Sequence, residues 1–208
     1  MIRQAFLDTA GVAAGLLRQP GVAARWSEPS ALAGYSVGGL ARHLAYQVTH
    51  TVGPLAAAPG TVAIPVLEHY TRNAWVTAGS DGTQNIEIRH RNERAAAATT
   101  AAALVGEFDA ALLALRTAMS ALAPDRVVDL GDWGLTADDF LLTRVLELVV
   151  HADDIAVSIG VPTPALPAAA TDATIQLLAR IAAWRHGPLA VVRGLARRER
   201  APQTISAL

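Results

Sequence analysis

The sequence predicts an all-α protein, an up-and-down four-helix bundle with additional short helices. Apolar residues recur at helical spacing in several long segments, whereas no segment beyond Val127–Asp129 alternates convincingly as a strand. Hydrophobic residues make up 52% of the 208 residues, and much of that fraction is alanine, which favours helix formation. Together these observations indicate one helical domain with a sizeable core.

Composition excludes several classes of function. A formal net charge of -1 gives no basis for binding to nucleic acid or to an acidic membrane surface. The absence of cysteine excludes disulfides, thiolate metal ligands and a cysteine nucleophile, so sulfur chemistry would need a thiol from outside the chain. No stretch approaches about 18 uninterrupted apolar residues, and no signal-peptide pattern opens the chain. We therefore expect a cytoplasmic protein without a membrane span.

Capping and breaking residues place the first helices. A first helix is expected over residues 3–18 and is ended by Pro20. Ser36 is a good N-cap for a second helix that runs from Val37 to about Val52. The pair Gly38-Gly39 in its first turn lowers helix propensity but leaves room for another backbone or a ligand to approach closely.

The remaining helices follow from the same signals. A short helix is expected over residues 62–78, and residues 84–122 are predicted to form one long helix. Thr136 is a clear N-cap, followed by two aspartates in the first turn, for a helix that stops at Gly160. A last helix covers about residues 168–186.

The segment from Leu141 to Ile155 is apolar enough to be buried, yet it carries Glu147, His151 and Asp154. These residues are spaced four and three apart, so their side chains share one face of a helix. Buried charge is tolerated when it is paired or when it binds a metal. His43 on the second helix can join this group, because residues of facing helices meet in the core of a bundle.

Two imidazoles and one carboxylate form a ligand set that suits zinc, nickel, iron or manganese, with positions left for water or substrate. The same spacing also fits a polar pair on a helix surface, or one core histidine hydrogen-bonded to Glu147. Asp154 has two interpretations as well. It could be the acceptor that fixes the tautomer of His43 or His151, or an exposed carboxylate near the helix end.

Further polar residues are weaker candidates. Gln47 and His50 continue a polar stripe after His43 and are candidate pocket residues, with His50 also a candidate fourth ligand. His50 lies two turns from His43, so a place at the pocket rim or the surface is the alternative. The charged segment Glu87–Arg94 is most simply solvated. No G-x-S-x-G elbow and no glycine-rich phosphate loop after a strand is present.

Two segments resemble a known family. PSALAGYSVGGLARHLAYQ resembles the W(S/T)VxDLxxHL helix of mycothiol-dependent maleylpyruvate isomerase N-terminal domains, and LTADDFLLTRVLELVVHADDIAVSIG resembles their ExVVHxxDLAxAxG helix. The family is part of the DinB/YfiT-like metalloprotein superfamily, and the resemblance covers about residues 5–185. It implies a DinB-like four-helix bundle that binds a divalent metal, commonly zinc. The implied metal ligands are His43, Glu147 and His151, and the family's characteristic aspartate falls on Asp154.

The chain departs from the family pattern in three ways. Gly39 stands where the first motif has an acidic residue, and Asp153 stands where the second motif often has tryptophan. Full maleylpyruvate isomerases carry a C-terminal domain that supplies an arginine to the active site. Here we expect residues 1–186 to form the DinB-like bundle and residues 187–208 to be a C-terminal tail, with no separate C-terminal domain. The departures favour a stand-alone transferase or another substrate over maleylpyruvate isomerisation.

The resemblance implies a metal-dependent transferase or isomerase. A small-molecule thiol, expected to be mycothiol, would attack a small electrophilic substrate, and no catalytic residue is assigned. DinB-like domains commonly pair through helices, so a homodimer is expected. The alternatives are a non-catalytic dimeric metal-binding or regulatory bundle, and a metal-dependent hydrolase in which bound water is the nucleophile.

Overall fold

The computed structural model describes residues 1–58, 60–79, 81–123 and 125–208. Its helices are α1 (Ile2–Leu17), α2 (Pro20–Ala24), α3 (Val37–Thr49), α4 (Val52–Ala56), α5 (Val66–Arg72), α6 (Trp75–Ala78), α7 (Thr83–Ala97), α8 (Ala101–Ser120), α9 (Ala137–Ile159), α10 (Ala168–His186) and α11 (Pro188–Ala196). The strands are β1 (Val127–Asp129) and β2 (Gly134–Thr136), which pair as one antiparallel hairpin. The prediction of an all-α protein is confirmed.

Four helices form the core of the bundle. Helices α1 and α3 each pack against both α8 and α9, so the four helices close a ring. The inner sides of the ring bury Phe6, Leu44, Phe108 and Leu141, each at most 1% exposed. Burying a side chain of this size stabilises the fold by about 1.5–3 kcal/mol. Helix α7 packs on α3, and α10 packs on α9. The up-and-down order of the four helices stays a prediction.

The predicted caps at the ends of two helices are confirmed. The side chain of Ser36 accepts a hydrogen bond from the N–H of Gly39, and that of Thr136 accepts one from the N–H of Asp139. Gly160 adopts the left-handed conformation with a φ of 73° and ends α9. Only glycine adopts this conformation without strain, which explains the residue at this position.

The prediction of a single helix over residues 84–122 is wrong. Two helices, α7 and α8, meet at 111° across residues 98–100. Thr100 is extended, and its side chain accepts a hydrogen bond from the N–H of Ala103, so Thr100 caps a new helix. The break is hard to read from the sequence because alanine surrounds it and keeps helix propensity high on both sides. The bend allows α7 to pack on α3.

Among the described residues, no single helix is both long and apolar enough to cross a membrane. Helices α7 and α8 reach that length and apolar composition only when the two are taken together, and they are bent by 111° at their junction.

Other boundaries differ from the predicted ones. The second helix stops at Thr49, before the short helix α4. The predicted helix over residues 62–78 is divided into α5 and α6 at Asn73, whose backbone is extended. The second strand, β2, was not predicted, because three-residue strands are too short to show an alternating pattern. It leads directly into α9 and therefore fixes where that helix starts.

The C-terminal residues lie against α10. Helix α11 packs on α10, and Nε2 of His186 lies 2.7 Å from the carbonyl oxygen of Ser206. Ala207 is buried, and a Cβ at Gly194 would lie 3.0 Å from the side chain of Ile205. Residues 187–208 are therefore packed on the last long helix. The division of the chain at residue 186 stays a prediction.

Candidate metal centre

Three of the predicted site residues lie together. Glu147 and His151 are one turn apart on α9, and His43 reaches them from α3, which packs against α9. One ligand atom of each residue lies within 4.8 Å of the other two. The Nε2 atoms of His43 and His151 lie 3.2 Å and 3.4 Å from Oε2 of Glu147. The two imidazole rings meet edge to face, with centroids 4.6 Å apart.

The carboxylate of Glu147 is mostly buried and is ionised. Its side chain is only 16% exposed, and the two histidine side chains are exposed to a similar extent. Burial alone would raise the pKa of Glu147, but hydrogen bonds to His151 and His43, with the charges of these groups, hold it well below its usual range. The cluster therefore contains a full negative charge that needs a positive partner.

The two histidines differ in protonation. Burial lowers the pKa of His43 against the opposing hydrogen bond to Glu147, so His43 is neutral at pH 7. Burial also acts to lower the pKa of His151, but hydrogen bonds to Asp154 and Glu147 raise it to about 9. His151 therefore carries the positive charge that compensates Glu147. A divalent cation in the cluster would take over that role and displace the proton.

Each imidazole also has a partner on its outer nitrogen. Oδ2 of Asp154 lies 2.8 Å from Nδ1 of His151, and Nδ2 of Asn92 lies 3.1 Å from Nδ1 of His43. Partners of this kind hold the ring and the tautomer of a metal-binding histidine. Of the two interpretations of Asp154, the geometry favours the hydrogen-bond acceptor, and the imidazole that it contacts is that of His151.

Asn92 was not anticipated from the sequence. It is 3% exposed, although it lies in the charged segment Glu87–Arg94 for which solvation was the simplest interpretation. Its amide nitrogen also donates to the carbonyl oxygen of Ile88, 3.0 Å away. No local motif marks Asn92, because its position beside His43 depends on the packing of α7 on α3.

The glycine pair at the start of α3 makes room for two side chains. A Cβ on Gly38 would lie 2.6 Å from the ring of Trp26, and a Cβ on Gly39 would overlap the carboxylate of Glu93. Glu93 on α7 accepts hydrogen bonds from the N–H and the hydroxyl of Ser36, at 2.8 Å and 2.9 Å. The negative charge at the N-terminus of α3, which the helix dipole favours, is thus supplied by α7 rather than by position 39. Glu93 is not simply solvated.

Of the two other predicted pocket residues, Gln47 lies beside the cluster and His50 lies outside it. Gln47 is 2% exposed, and its amide nitrogen donates to the carbonyl oxygen of His43, whereas its Oε1 has no partner among the described residues. His50 is exposed at the end of α3, 3.0 Å from the hydroxyl of Thr49 and stacked on Tyr46. The geometry therefore leaves His50 outside the group of three ligand candidates.

Known proteins share this fold. The chain matches the family model described as the mycothiol maleylpyruvate isomerase N-terminal domain over residues 8–156. It is similar to a crystal structure of the mycothiol-dependent maleylpyruvate isomerase, with a TM-score of 0.51 and 17% identity. It is also similar to a structure of a histidine-to-alanine mutant of that isomerase, with a TM-score of 0.51 and 15% identity. Each alignment covers 85% of this chain and 68% of that chain, and no curated protein matches.

The family match includes both segments that carry the candidate ligands. It spans α3 with His43 and most of α9 with Glu147 and His151. At their low identities the solved structures show the shared fold, and the family model, which matches well over half of the chain, shows the family. The chain belongs to the mycothiol maleylpyruvate isomerase N-terminal domain family.

Proposed function

We propose that His43, Glu147 and His151 hold a divalent metal, zinc first among the candidates, in a thiol-dependent transferase or isomerase that acts on a small electrophilic substrate. The observation that carries this proposal is the approach of both Nε2 atoms to one carboxylate oxygen in a nearly buried place. Two imidazoles and one carboxylate suit zinc, nickel, iron or manganese and leave a position open for a small molecule. The family match supports mycothiol as the thiol.

The protonation states and hydrogen bonds of the three residues favour binding of a cation. Glu147 is ionised and His43 is neutral, which are the forms that bind a cation. Asp154 accepts from Nδ1 of His151, so the lone pair of Nε2 faces the cluster once the ring is neutral. When bound, a divalent metal lowers the pKa of a thiol, so that thiolate forms at neutral pH. The chain has no cysteine, so that thiol comes from a small molecule.

The side-chain amide of Asn92 can hydrogen-bond to Nδ1 of His43 in either neutral tautomer of the imidazole. In this structure the amide nitrogen of Asn92 donates to Nδ1 of His43, so Nδ1 is an acceptor and Nε2 carries the proton towards Glu147. Ligation through Nε2 requires the proton on Nδ1 instead. A half-turn of the Asn92 amide would present its oxygen to that proton, at the expense of the bond to Ile88.

Elemental analysis combined with a mycothiol titration tests the proposal. Purified protein should contain a single divalent metal ion per chain, and calorimetry should detect mycothiol binding that is lost after chelation. Turnover of an electrophile should then require the thiol. Metal-dependent turnover without any thiol would contradict this and favour a hydrolase. Bound metal without mycothiol binding or turnover would favour a non-catalytic bundle.

We also propose that the protein is a homodimer. Helices α10 and α11 expose large apolar side chains, and Ile175, Trp184, Leu189 and Val192 are each 44–59% exposed. Apolar surface of this kind is removed from water when two copies pair. Sedimentation equilibrium should give twice the chain mass of 21.7 kDa. A monomer at micromolar concentration would contradict the proposal.

A further inference from the structure

We propose that Gln47 is a fourth ligand of the candidate metal centre, through its side-chain oxygen. The inference rests on the proposed function, because it needs a metal that is held by His43, Glu147 and His151. It adds a neutral oxygen to two imidazoles and one carboxylate, and it thereby changes which divalent metals the centre should favour.

The side-chain oxygen of Gln47 is a buried acceptor without a donor. Gln47 is 2% exposed, and its Oε1 has no hydrogen-bond partner among the residues that the structure describes. An enclosed acceptor without a partner is unfavourable, and native proteins contain few of them. A cation bound beside Oε1 would supply the missing interaction, since the side-chain carbonyl of glutamine is a ligand for divalent metals.

The amide of Gln47 is held in one orientation. Its Nε2 donates to the carbonyl oxygen of His43 at 3.1 Å, and a carbonyl oxygen can only accept. Reversal of the amide would bring two acceptors together at that contact. Since Oε1 and Nε2 are bonded to the same carbon, the oxygen without a partner lies beside His43, where it can attract a cation.

Gln47 and His43 are spaced along α3 as His151 and Glu147 are spaced along α9. The two residues of each pair are four positions apart on one helix. Side chains at this spacing share a helix face, and two of them can bind one metal ion together. The two pairs face each other, because His43 contacts both Glu147 and His151.

Helices α3 and α9 run antiparallel, which decides the side of the cluster on which Gln47 lies. Before α3, the N–H of Ala31 donates to the hydroxyl of Ser158 in the last turn of α9, at 2.9 Å. After α3, α4 packs on β1, which pairs with β2, the strand that leads into α9. The step from His43 to Gln47 therefore runs towards the start of α9, so Gln47 lies on the Glu147 side of the cluster.

An amide oxygen changes the preference of the centre among divalent metals. Two imidazoles, one carboxylate and a water molecule are enough for zinc, which is usually four-coordinate. Harder ions such as manganese favour carboxylate and carbonyl oxygens and take more ligands. The oxygen of Gln47 should therefore contribute more to the binding of Mn²⁺ than to that of Zn²⁺. A neutral amide does not substitute for an imidazole, so loss of His43 or His151 should still release the metal.

Calorimetric titration of the chelator-treated protein with MnCl₂ and with ZnCl₂ tests the fourth ligand. Gln47→Leu removes the oxygen and should weaken Mn²⁺ binding about tenfold or more, and Zn²⁺ binding by a smaller factor. Gln47→Glu puts a charged oxygen at the same position and should bind Mn²⁺ more tightly than native. Gln84→Leu, at an exposed position on α7, is the matched control and should leave both affinities unchanged.

The outcomes separate this inference from the proposed function. Native protein that binds neither ion would refute the proposed function, and the fourth ligand with it. Metal binding that Gln47→Leu leaves unchanged would overturn the fourth ligand alone. Equal losses of Mn²⁺ and Zn²⁺ affinity in Gln47→Leu would also overturn it, because a packing defect on α3 weakens both ions alike.

Two further results bear on direct ligation. Should Gln47→Leu not fold, Gln47→Glu takes its place, and a Mn²⁺ affinity at or below the native value would overturn the inference. In a crystal structure of the manganese-loaded protein, Oε1 of Gln47 should lie within about 2.3 Å of the ion. A water molecule between Oε1 and the ion would overturn direct ligation.

Discussion

The carboxylate of Glu93 on α7 accepts two hydrogen bonds from Ser36, the residue that caps α3. This contact ties α7 to the start of the helix that carries His43. The neighbouring residue on α7, Asn92, then lies against Nδ1 of His43. One interface between two helices therefore both stabilises the cap and holds a candidate metal ligand in place.

Glu93→Gln should destabilise the fold by about 1–2 kcal/mol, because it removes a charge that interacts with the N-terminus of α3 and two charge-assisted hydrogen bonds. Urea denaturation followed by circular dichroism measures the change in the free energy of unfolding. Glu87→Gln, at an exposed position on the same helix, is the control and should stay near native stability. Equal effects of the two substitutions would show that the contact with Ser36 contributes nothing.

Gly39→Ala should destabilise the protein by about 1–3 kcal/mol, because the new Cβ overlaps the carboxylate of Glu93. The same change in a Glu93→Ala background should be nearly neutral, because the obstructing side chain is gone. Thermal unfolding of the four proteins gives this coupling directly. Gly11→Ala on α1 is the control, since a Cβ there has no neighbour within 4 Å, and it should be neutral or stabilising. If Gly39→Ala destabilised the native protein and the Glu93→Ala variant equally, overlap with the Glu93 carboxylate would not be the cause.

His43→Ala and His151→Ala should each abolish stoichiometric metal binding, because two remaining ligands do not hold a divalent ion in competition with a chelator. Elemental analysis after dialysis against a chelator measures the bound metal. His50→Ala removes an exposed imidazole outside the cluster and should retain the metal. Full occupancy in His151→Ala would refute the ligand assignment.

Asn92→Leu should weaken metal binding about 10–100-fold, because it removes the partner of Nδ1 of His43. Asn92→Asp should bind the metal more tightly than native, because a carboxylate is an acceptor for the Nδ1 proton in any orientation. Competition with a chromophoric chelator measures both affinities. Asn85→Leu removes an amide elsewhere on α7, where it bonds the carbonyl of Gly79, and should leave the affinity unchanged. Equal affinities of the two Asn92 variants would contradict a role for this hydrogen bond.

His69 should make stability depend on pH. Its pKa is lowered from 6.5 to about 4 by burial and by the charge of Arg144. Between these two values the unfolded chain binds a proton that the folded chain does not, so the free energy of unfolding falls as the pH falls through this window. His69→Gln lacks this contribution, and its stability relative to native should therefore improve from pH 6.5 towards pH 4. Denaturation at several pH values measures the difference, with His90→Gln, at an exposed position, as the control. A constant difference between His69→Gln and native would contradict the expectation.

Features that depend on one helix could be predicted from the sequence. Ser36, Thr136 and Gly160 cap helices through contacts with residues at most four positions away, so their roles follow from local chemistry. Glu147 and His151 share a face of α9 because their spacing matches the helical period. The family was also recognisable, because its two motifs are carried mainly by α3 and α9 and the residues that lead into them.

Contacts between different helices could not be predicted from the sequence and are seen only in the tertiary structure. The 111° bend between α7 and α8 directs α7 onto α3, and only this packing places Asn92 beside His43 and Glu93 beside Gly39. Tyr70 likewise joins the buried cluster of Leu146 only because α5 packs on α9. The helical period determines which residues of one helix share a face. Which faces meet depends on how the whole chain buries its apolar surface, and no local pattern encodes that.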